Sequence, residues 1–174
     1  MDYFYKAPGE VDSNIINEII DIHKLSYPGY QTVDGLSHLS DNISNAEYIG
    51  YAMDGTVFQC CIVLKNQTAS ILADYATASG SDLTGALEMG YVCMTNDFRE
   101  VPYSAENTTV ITTLVQGLLD LSTGKKVFTL CRTGQDYTSI VIAKAASLIN
   151  SYVISNDDYG ILTSTPVDHY EWQL

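Results

Sequence analysis

The segment from residue 87 to residue 132 constrains the fold more than any other part of the chain. Residues 87–94 (LEMGYVCM) and 126–132 (KVFTLCR) are apolar runs of strand length. Between them, apolar side chains recur at helical spacing: Val110, Ile111, Leu114, Val115, Leu118 and Leu119. Strands joined by such a helix pair in parallel through a right-handed crossover. The sequence therefore predicts neighbouring parallel strands at 89–94 and 127–131, with Gly124 ending the helix between them.

The other segments supply the rest of a mixed sheet. The turn Asp54-Gly55 between two apolar strands predicts a β-hairpin, and residues 66–86 fit either an extra strand or a short helix. The remaining predicted elements are a strand at 3–6, a helix from Asp12 or Ser13 to Pro28, a helix at 33–43, a last helix from Asp136 to about 149, and strands at 151–155 and 161–165 around a polar turn at 156–160.

These elements predict one α+β domain over residues 1–174, with helices on both faces of the sheet. Their order is β-α-α-β-β-(insert)-β-α-β-α-β-β, where residues 66–86 are the insert. A chain of 174 residues is long enough to bury one real core.

Charge and cysteine usage exclude several classes of function. With 21 acidic and 8 basic residues, the net charge of −13 opposes nucleic-acid binding, and it serves either solubility or attraction of cationic partners. The four cysteines lie in apolar runs without CxxC spacing, so we expect reduced, buried thiols and no metal site. No apolar run reaches membrane-spanning length and residues 1–10 lack a signal-peptide layout, so we expect a cytoplasmic protein with no membrane partner.

The element order resembles that of the GNAT (Gcn5-related N-acetyltransferase) family across nearly the whole chain. The hairpin at Asp54-Gly55 is similar to the second and third strands of that family, and LEMGYVCMTNDFR is similar to its fourth strand. DYTSIVIAKAASL resembles its last helix. Short phage-encoded proteins of this fold have similarly altered motifs.

The resemblance implies a binding site for acetyl-CoA or another acyl-CoA. In the family, the fourth and fifth strands diverge, the pantetheine arm lies along the fourth strand, and the pyrophosphate binds at the start of the following helix. Gly90 is expected to mark a bulge in the fourth strand. The residues that the resemblance assigns to the cofactor are Met89, Tyr91, Val92, Cys93, Met94, Arg99, Tyr103, Ser104, Ala105, Glu106 and Asn107.

Two candidate catalytic residues follow from the same resemblance. Glu88 stands where the family often has the base that deprotonates the amine; the alternative, which the sequence favours, is a solvated glutamate at a strand end. Aligning the last helix on Asp136 and Lys144 puts Ala143 in the position of the family's acidic tyrosine. Tyr137, nearly two turns earlier, is then the candidate acid on this helix.

The phosphate loop departs from the family pattern Gln/Arg-x-x-Gly-x-Gly/Ala. Arg99 fits its first position, but Pro102 and Ser104 replace the two glycines, and Glu100 and Glu106 add negative charge. Two interpretations therefore remain. The chain is an acyl-CoA-dependent N-acyltransferase acting on an unknown amine, or it is an inactive GNAT-fold phage protein that acts as a virion component or by binding protein partners.

Overall fold

The computed structural model describes residues 1–154 and 164–174. The strands are β1 (Asp2–Lys6), β2 (Tyr48–Asp54), β3 (Val57–Asn66), β4 (Leu87–Met94), β5 (Lys126–Arg132), β6 (Ser147–Val153) and β7 (Pro166–Gln173). The α-helices are α1 (Ser13–Ser26), α2 (Val33–Ser44), α3 (Ala69–Ser79), α4 (Ala105–Leu121) and α5 (Asp136–Ala143). Short 3-10 helices occupy Pro8–Glu10 and Pro28–Gln31.

The strands form a mixed seven-stranded sheet in the order β1-β2-β3-β4-β5-β7-β6. All neighbours are antiparallel except β4 and β5, which are parallel, as the strand–helix–strand segment predicts. Helices α4 and α5 contribute to a core on one face, and α1 and α2 to a core on the other. The predicted α+β architecture is therefore confirmed.

Local sequence signals account for several boundaries. The Asp12 carboxylate caps α1 by accepting the N–H of Asn14 at 2.8 Å, and the Ser104 hydroxyl caps α4 by accepting that of Asn107. Gly55 takes a left-handed φ of 59° in the β2–β3 hairpin, a conformation that costs glycine little. Within residues 66–86 the helical alternative holds, because Thr68 caps α3 and Gly80 ends it with a φ of 72°.

The prediction of a last helix reaching residue 149 is wrong. Helix α5 ends at Ala143, because the N–H of Lys144 closes the final turn and Ala145 adopts a left-handed φ of 62°. The indole of Trp172 donates to the carbonyl of Lys144 at 3.0 Å and fixes this end. The chain then reverses into β6.

The boundaries predicted for the strand at 151–155 are also wrong, because this strand lies at Ser147–Val153. The strand predicted at 161–165 falls mostly outside the described residues, and the described chain has a further strand at Pro166–Gln173 that was not predicted. Strand β7 lies between β5 and β6, and most of its side chains are buried. Several of these buried side chains are polar, so the segment lacks the apolar pattern from which a buried strand is predicted. The predicted turn at 156–160 lies outside the described residues.

All four cysteines are buried free thiols, as expected. Within residues 1–154 and 164–174, no helix is long and apolar enough to cross a membrane. The same part of the chain contains no cluster of metal-ligating side chains.

Candidate functional site

A cleft of about 710 Å³ opens where β4 and β5 separate. The two strands pair only through Leu87 with Val127 and Glu88 with Phe128. The hydroxyl of Thr129 donates to the carbonyl of Met89 at 2.6 Å and marks the point where the strands part. Beyond that point both strands line what we call the β4–β5 cleft, as the predicted divergence requires.

A β-bulge shapes the β4 wall of this cleft. Val63 of β3 pairs with Gly90, and Cys61 pairs with Cys93. Between these two pairs, β4 contains Tyr91 and one further residue, whereas β3 contains a single residue, which makes a β-bulge in β4. Tyr91 has a φ of 48°, which is uncommon for a residue other than glycine. The bulge predicted at Gly90 is confirmed, and it begins at the residue after this glycine.

A buried ion pair lies at the closed end of the cleft. Lys65 Nζ is 2.9 Å from Glu88 Oε1, and Gln67 donates to Glu88 Oε2. Both charged side chains are less than a tenth exposed, so Glu88 is a buried cleft residue and not a solvated strand end. Lys65 Nζ also lies 4.1 Å from the ring centroid of Tyr91, a cation–π contact.

Gly90 makes room for this ion pair. A Cβ on Gly90 would lie 3.1 Å from Lys65 Cε and 3.3 Å from Glu88 Oε1, closer than most side-chain contacts. A side chain at this position would therefore push the ion pair aside by a few tenths of an ångström.

Helix α1 and the 3-10 helix after it contribute an aromatic wall. The His23 ring packs edge-on against Tyr91 with centroids 5.2 Å apart, and Tyr30 packs against Tyr91 at 6.1 Å. The Tyr91 hydroxyl accepts from Asn42 Nδ2 at 3.2 Å. The Cζ atom of Arg132 lies 5.4 Å from the centroid of the Tyr27 ring, a cation–π contact. This wall is rich in aromatic groups, and the hydroxyls of Tyr30 and Tyr91 already take part in hydrogen bonds.

The loop before α4 is filled by its own side chains. The buried carboxamide of Asn107 accepts the N–H of Glu100 at 2.8 Å and donates to the carbonyl of Phe98 at 2.8 Å. Asp136 of α5 accepts the N–H of Tyr103 at 3.0 Å. Of the amides predicted to hold a pyrophosphate, those of Tyr103 and Asn107 are thus engaged within the protein.

The charge in the cleft differs from that of the whole chain. Both arginines of the sequence, Arg99 and Arg132, line the cleft together with Lys65. Among the described lining residues the acidic ones are Glu88 and Asp136. Formal charges of +3 and −2 leave the lining at +1 within a protein of net charge −13, an environment that favours an anionic ligand.

Tyr137 also lines the cleft, and its hydroxyl is buried. Tyr137 is 6% exposed, and within the described residues its hydroxyl has no hydrogen-bond partner. Burial raises the pKa of this phenol well above its ordinary value, so it stays protonated at neutral pH. A buried donor without a partner is costly.

The structure brings most of the sequence-predicted site residues together. Those that line the cleft are Glu88, Tyr91, Val92, Cys93, Met94, Arg99, Tyr103 and Tyr137. Those that do not are Met89, which is in the core, and Ser104, Ala105, Glu106 and Asn107, which belong to the start of α4.

Sequence reasoning missed His23, Lys65 and Arg132. His23 lies near the end of a helix whose clear signal is its apolar face, and Lys65 lies near the end of an apolar strand, so neither residue indicated a site. The position of Arg132 at the carboxyl end of a parallel strand was the most usable signal, because ligands bind at that edge of open sheets.

Comparison with known proteins identifies the fold but no close relative. No family model matches the sequence, and no curated protein matches it. Aminoglycoside 6'-acetyltransferase type Ii is similar in structure with a TM-score of 0.65 and 10% identity, over 99% of this chain and 97% of that one.

Two further solved structures are similar to the same extent. An acyl-CoA N-acyltransferase from Pseudomonas aeruginosa gives a TM-score of 0.62 at 10% identity, over 99% of both chains. Escherichia coli ElaA gives 0.64 at 7% identity, over 99% of this chain and 100% of its own. The chain therefore has the acyl-CoA N-acyltransferase (GNAT) fold.

Proposed function

Because the chain has this fold, we propose that it is an acyl-CoA-dependent N-acyltransferase that acts on a small amine. The observation that carries the proposal is the opening of the sheet beyond Glu88, where the bulged β4 backbone lines a cleft of about 710 Å³. The fold is that of the similar structures, two of which are named as acetyltransferase and N-acyltransferase.

The donor would occupy the space that β5 leaves beside β4. From Gly90 to Met94 the edge of β4 facing this space is not paired with β5, so a pantetheine arm can bond to it as an added strand would. The arm would pass Tyr91 and Val92, where the bulge turns a backbone amide toward the thioester carbonyl. Arg99 and Arg132 would lie near the anionic end of the donor.

The phosphate site would be weaker than a glycine-rich one. Amides at Ser104, Ala105 and Glu106 remain at the start of α4, a helix end that attracts anions. Asp136, which bonds to the N–H of Tyr103, places a carboxylate beside them. Losing two charge-assisted hydrogen bonds, at ~1.5–3 kcal/mol each, moves a micromolar site toward millimolar.

The acyl transfer would need a free amine and a proton for the leaving thiolate. The amine nitrogen attacks the thioester carbon, a C–N bond forms and the C–S bond breaks. The proton of the attacking amine goes to Glu88 or to solvent, and Tyr137 supplies a proton to the departing sulfur. The raised pKa of Tyr137 keeps it protonated for this role.

The test is release of CoA thiol from acetyl-CoA in the presence of a panel of amines and amino acids. The wild-type protein should release thiol with at least one acceptor, and Gly90→Val should abolish release because its side chain displaces Lys65 and Glu88. Gly9→Ala is the matched control, since a Cβ there meets nothing within 4 Å. If neither the wild type nor Gly9→Ala releases thiol with any acceptor, the proposed catalysis is contradicted.

The filled loop supports a second candidate function. If the carboxamide of Asn107 has replaced the phosphate, the fold would serve as a rigid framework, for example as a phage virion component or a partner-binding protein. This candidate requires that acetyl-CoA neither binds nor reacts. The thiol-release assay and a binding titration together separate the two.

A further inference from the structure

Two cysteines oppose each other across β3 and β4 at the bulge. Cys61 pairs with Cys93 in the antiparallel register, and their Sγ atoms are 3.3 Å apart. Cys93 lines the β4–β5 cleft, whereas Cys61 is fully buried behind it. The cleft therefore contains a thiol with a second thiol in hydrogen-bond contact.

A histidine completes this group. His23 of α1 lies in the same wall, and its Nδ1 is 2.8 Å from the carbonyl oxygen of Ile19. A carbonyl only accepts, so we assign the proton to Nδ1, which leaves Nε2 as an acceptor. His23 and Cys93 line the same wall of the cleft and their interaction favours the charged form of the thiol, so we infer that Nε2 is the atom that takes the thiol proton.

The surroundings favour the thiolate of Cys93. A hydrogen bond from Cys61, and the positive charge that His23 carries when it holds the thiol proton, outweigh the effect of burial and lower the pKa of Cys93 to about 6. Other titratable groups nearby include Cys60 on β3 and Tyr27, Tyr30 and Tyr91 on the aromatic wall. Cys131 lines the same cleft without a histidine, and there burial raises the thiol pKa to about 12.

We propose that Cys93 is a nucleophile that accepts the acyl group from a thioester bound in the cleft, with His23 as its base. This inference rests on the proposed acyltransferase function and adds a covalent intermediate to it. It makes the transfer a two-step reaction rather than a direct attack by the amine.

The steps balance as two thioester exchanges. His23 Nε2 takes the proton of Cys93, and the thiolate attacks the carbonyl carbon of the bound thioester. A new C–S bond forms to Cys93, the original C–S bond breaks, and the leaving thiolate takes the proton from His23. The amine then attacks the acyl-Cys93 carbonyl, forming the amide and returning the proton to the Cys93 sulfur.

The first test needs no substrate. Alkylation by iodoacetamide, mapped by peptide and measured against pH under a phosphine reductant, should label Cys93 with a midpoint near pH 6. His23→Asn can keep the bond to Ile19 but removes the Nε2 acceptor, so it should move that midpoint up by at least one pH unit. Cys131 is the internal comparison and should not react in this range. A Cys93 midpoint above pH 8 in the wild type would overturn the inference.

The second test follows the acyl group. The protein is incubated with acetyl-CoA, or with S-acetyl-N-acetylcysteamine, which has no phosphates, and its intact mass and peptides are measured. One acetyl group on Cys93 is expected, absent in both Cys93→Ser and Cys93→Ala and retained in Cys60→Ala, a buried cysteine outside the cleft lining.

The outcomes separate this inference from the proposed function. Thiol release to an amine without acetyl-Cys93, or with unchanged rate in Cys93→Ala, overturns the nucleophile and leaves the acyltransferase. Acetylation by the small thioester but not by acetyl-CoA supports the nucleophile and locates the failure in the phosphate loop. No acetylation of Cys93 by either thioester overturns it.

Discussion

Replacing Asn107 with leucine should destabilise the loop before α4. Leucine has the same branched shape as asparagine but cannot accept from the N–H of Glu100 or donate to the carbonyl of Phe98, both 2.8 Å from the carboxamide. Each partner left without a hydrogen bond costs about 1–3 kcal/mol, and these two are partly open to water, so we take ~1 kcal/mol for each. Leucine regains about 0.5 kcal/mol of helix propensity, which leaves a net loss of ~1.5 kcal/mol.

Urea unfolding followed by circular dichroism measures this loss, and a thermal scan should show a Tm lower by roughly 3–6 °C for a domain of this size. Thr108→Leu is the matched control, because Thr108 is exposed in the same helical turn, and its stability should stay within ~0.5 kcal/mol of the wild type. If Asn107→Leu unfolds at the wild-type urea concentration, the carboxamide does not hold the loop.

Three further changes test other parts of the structure. Gly117→Ala should destabilise the protein by about 1–2 kcal/mol in urea unfolding instead of strengthening α4, because its Cβ would lie 2.1 Å from Tyr5 Cζ; a gain in stability would contradict the packing. Glu88→Gln should cost about 3 kcal/mol by leaving Lys65 buried without its carboxylate, and adding Lys65→Met should recover part of it; equal stability of both variants would refute the ion pair. Burial lowers the pKa of His169 below its ordinary value of 6.5, so protonation of this ring favours the unfolded state. The stability that the neutral ring contributes is therefore present above pH 6.5 and is lost as pH falls below that value. His169→Phe should flatten this part of the curve of unfolding free energy against pH.

Local signals in the sequence were sufficient for much of the fold. The apolar periodicity of α4, flanked by two strands, determines the parallel pair, and Asp54-Gly55 determines the hairpin. The end of α5 was missed because it depends on Trp172, which is 28 residues away from Lys144. Strand β7 was missed because Asp168 and Glu171 are polar and become buried only through distant partners.

The candidate site was likewise predictable from the sequence only in part. Strand β4 and the bulge at Gly90 were predictable, since one continuous segment carries them. Lys65, His23 and Arg132 come from three other elements that meet only in the folded chain. The missing glycines indicated that the loop before α4 departs from the family pattern, but the carboxamide of Asn107 that fills it is visible only from its contacts.

Calorimetric titration with acetyl-CoA tests the central claim, that the β4–β5 cleft is an acyl-CoA site, most directly. The account predicts saturable binding at one site per chain, with a Kd between roughly 0.1 and 1 mM because the phosphate loop has lost donors. Gly90→Val should abolish this binding, and Gly9→Ala should leave it unchanged. Absence of saturable heat at millimolar acetyl-CoA, or undiminished binding to Gly90→Val, would contradict the account.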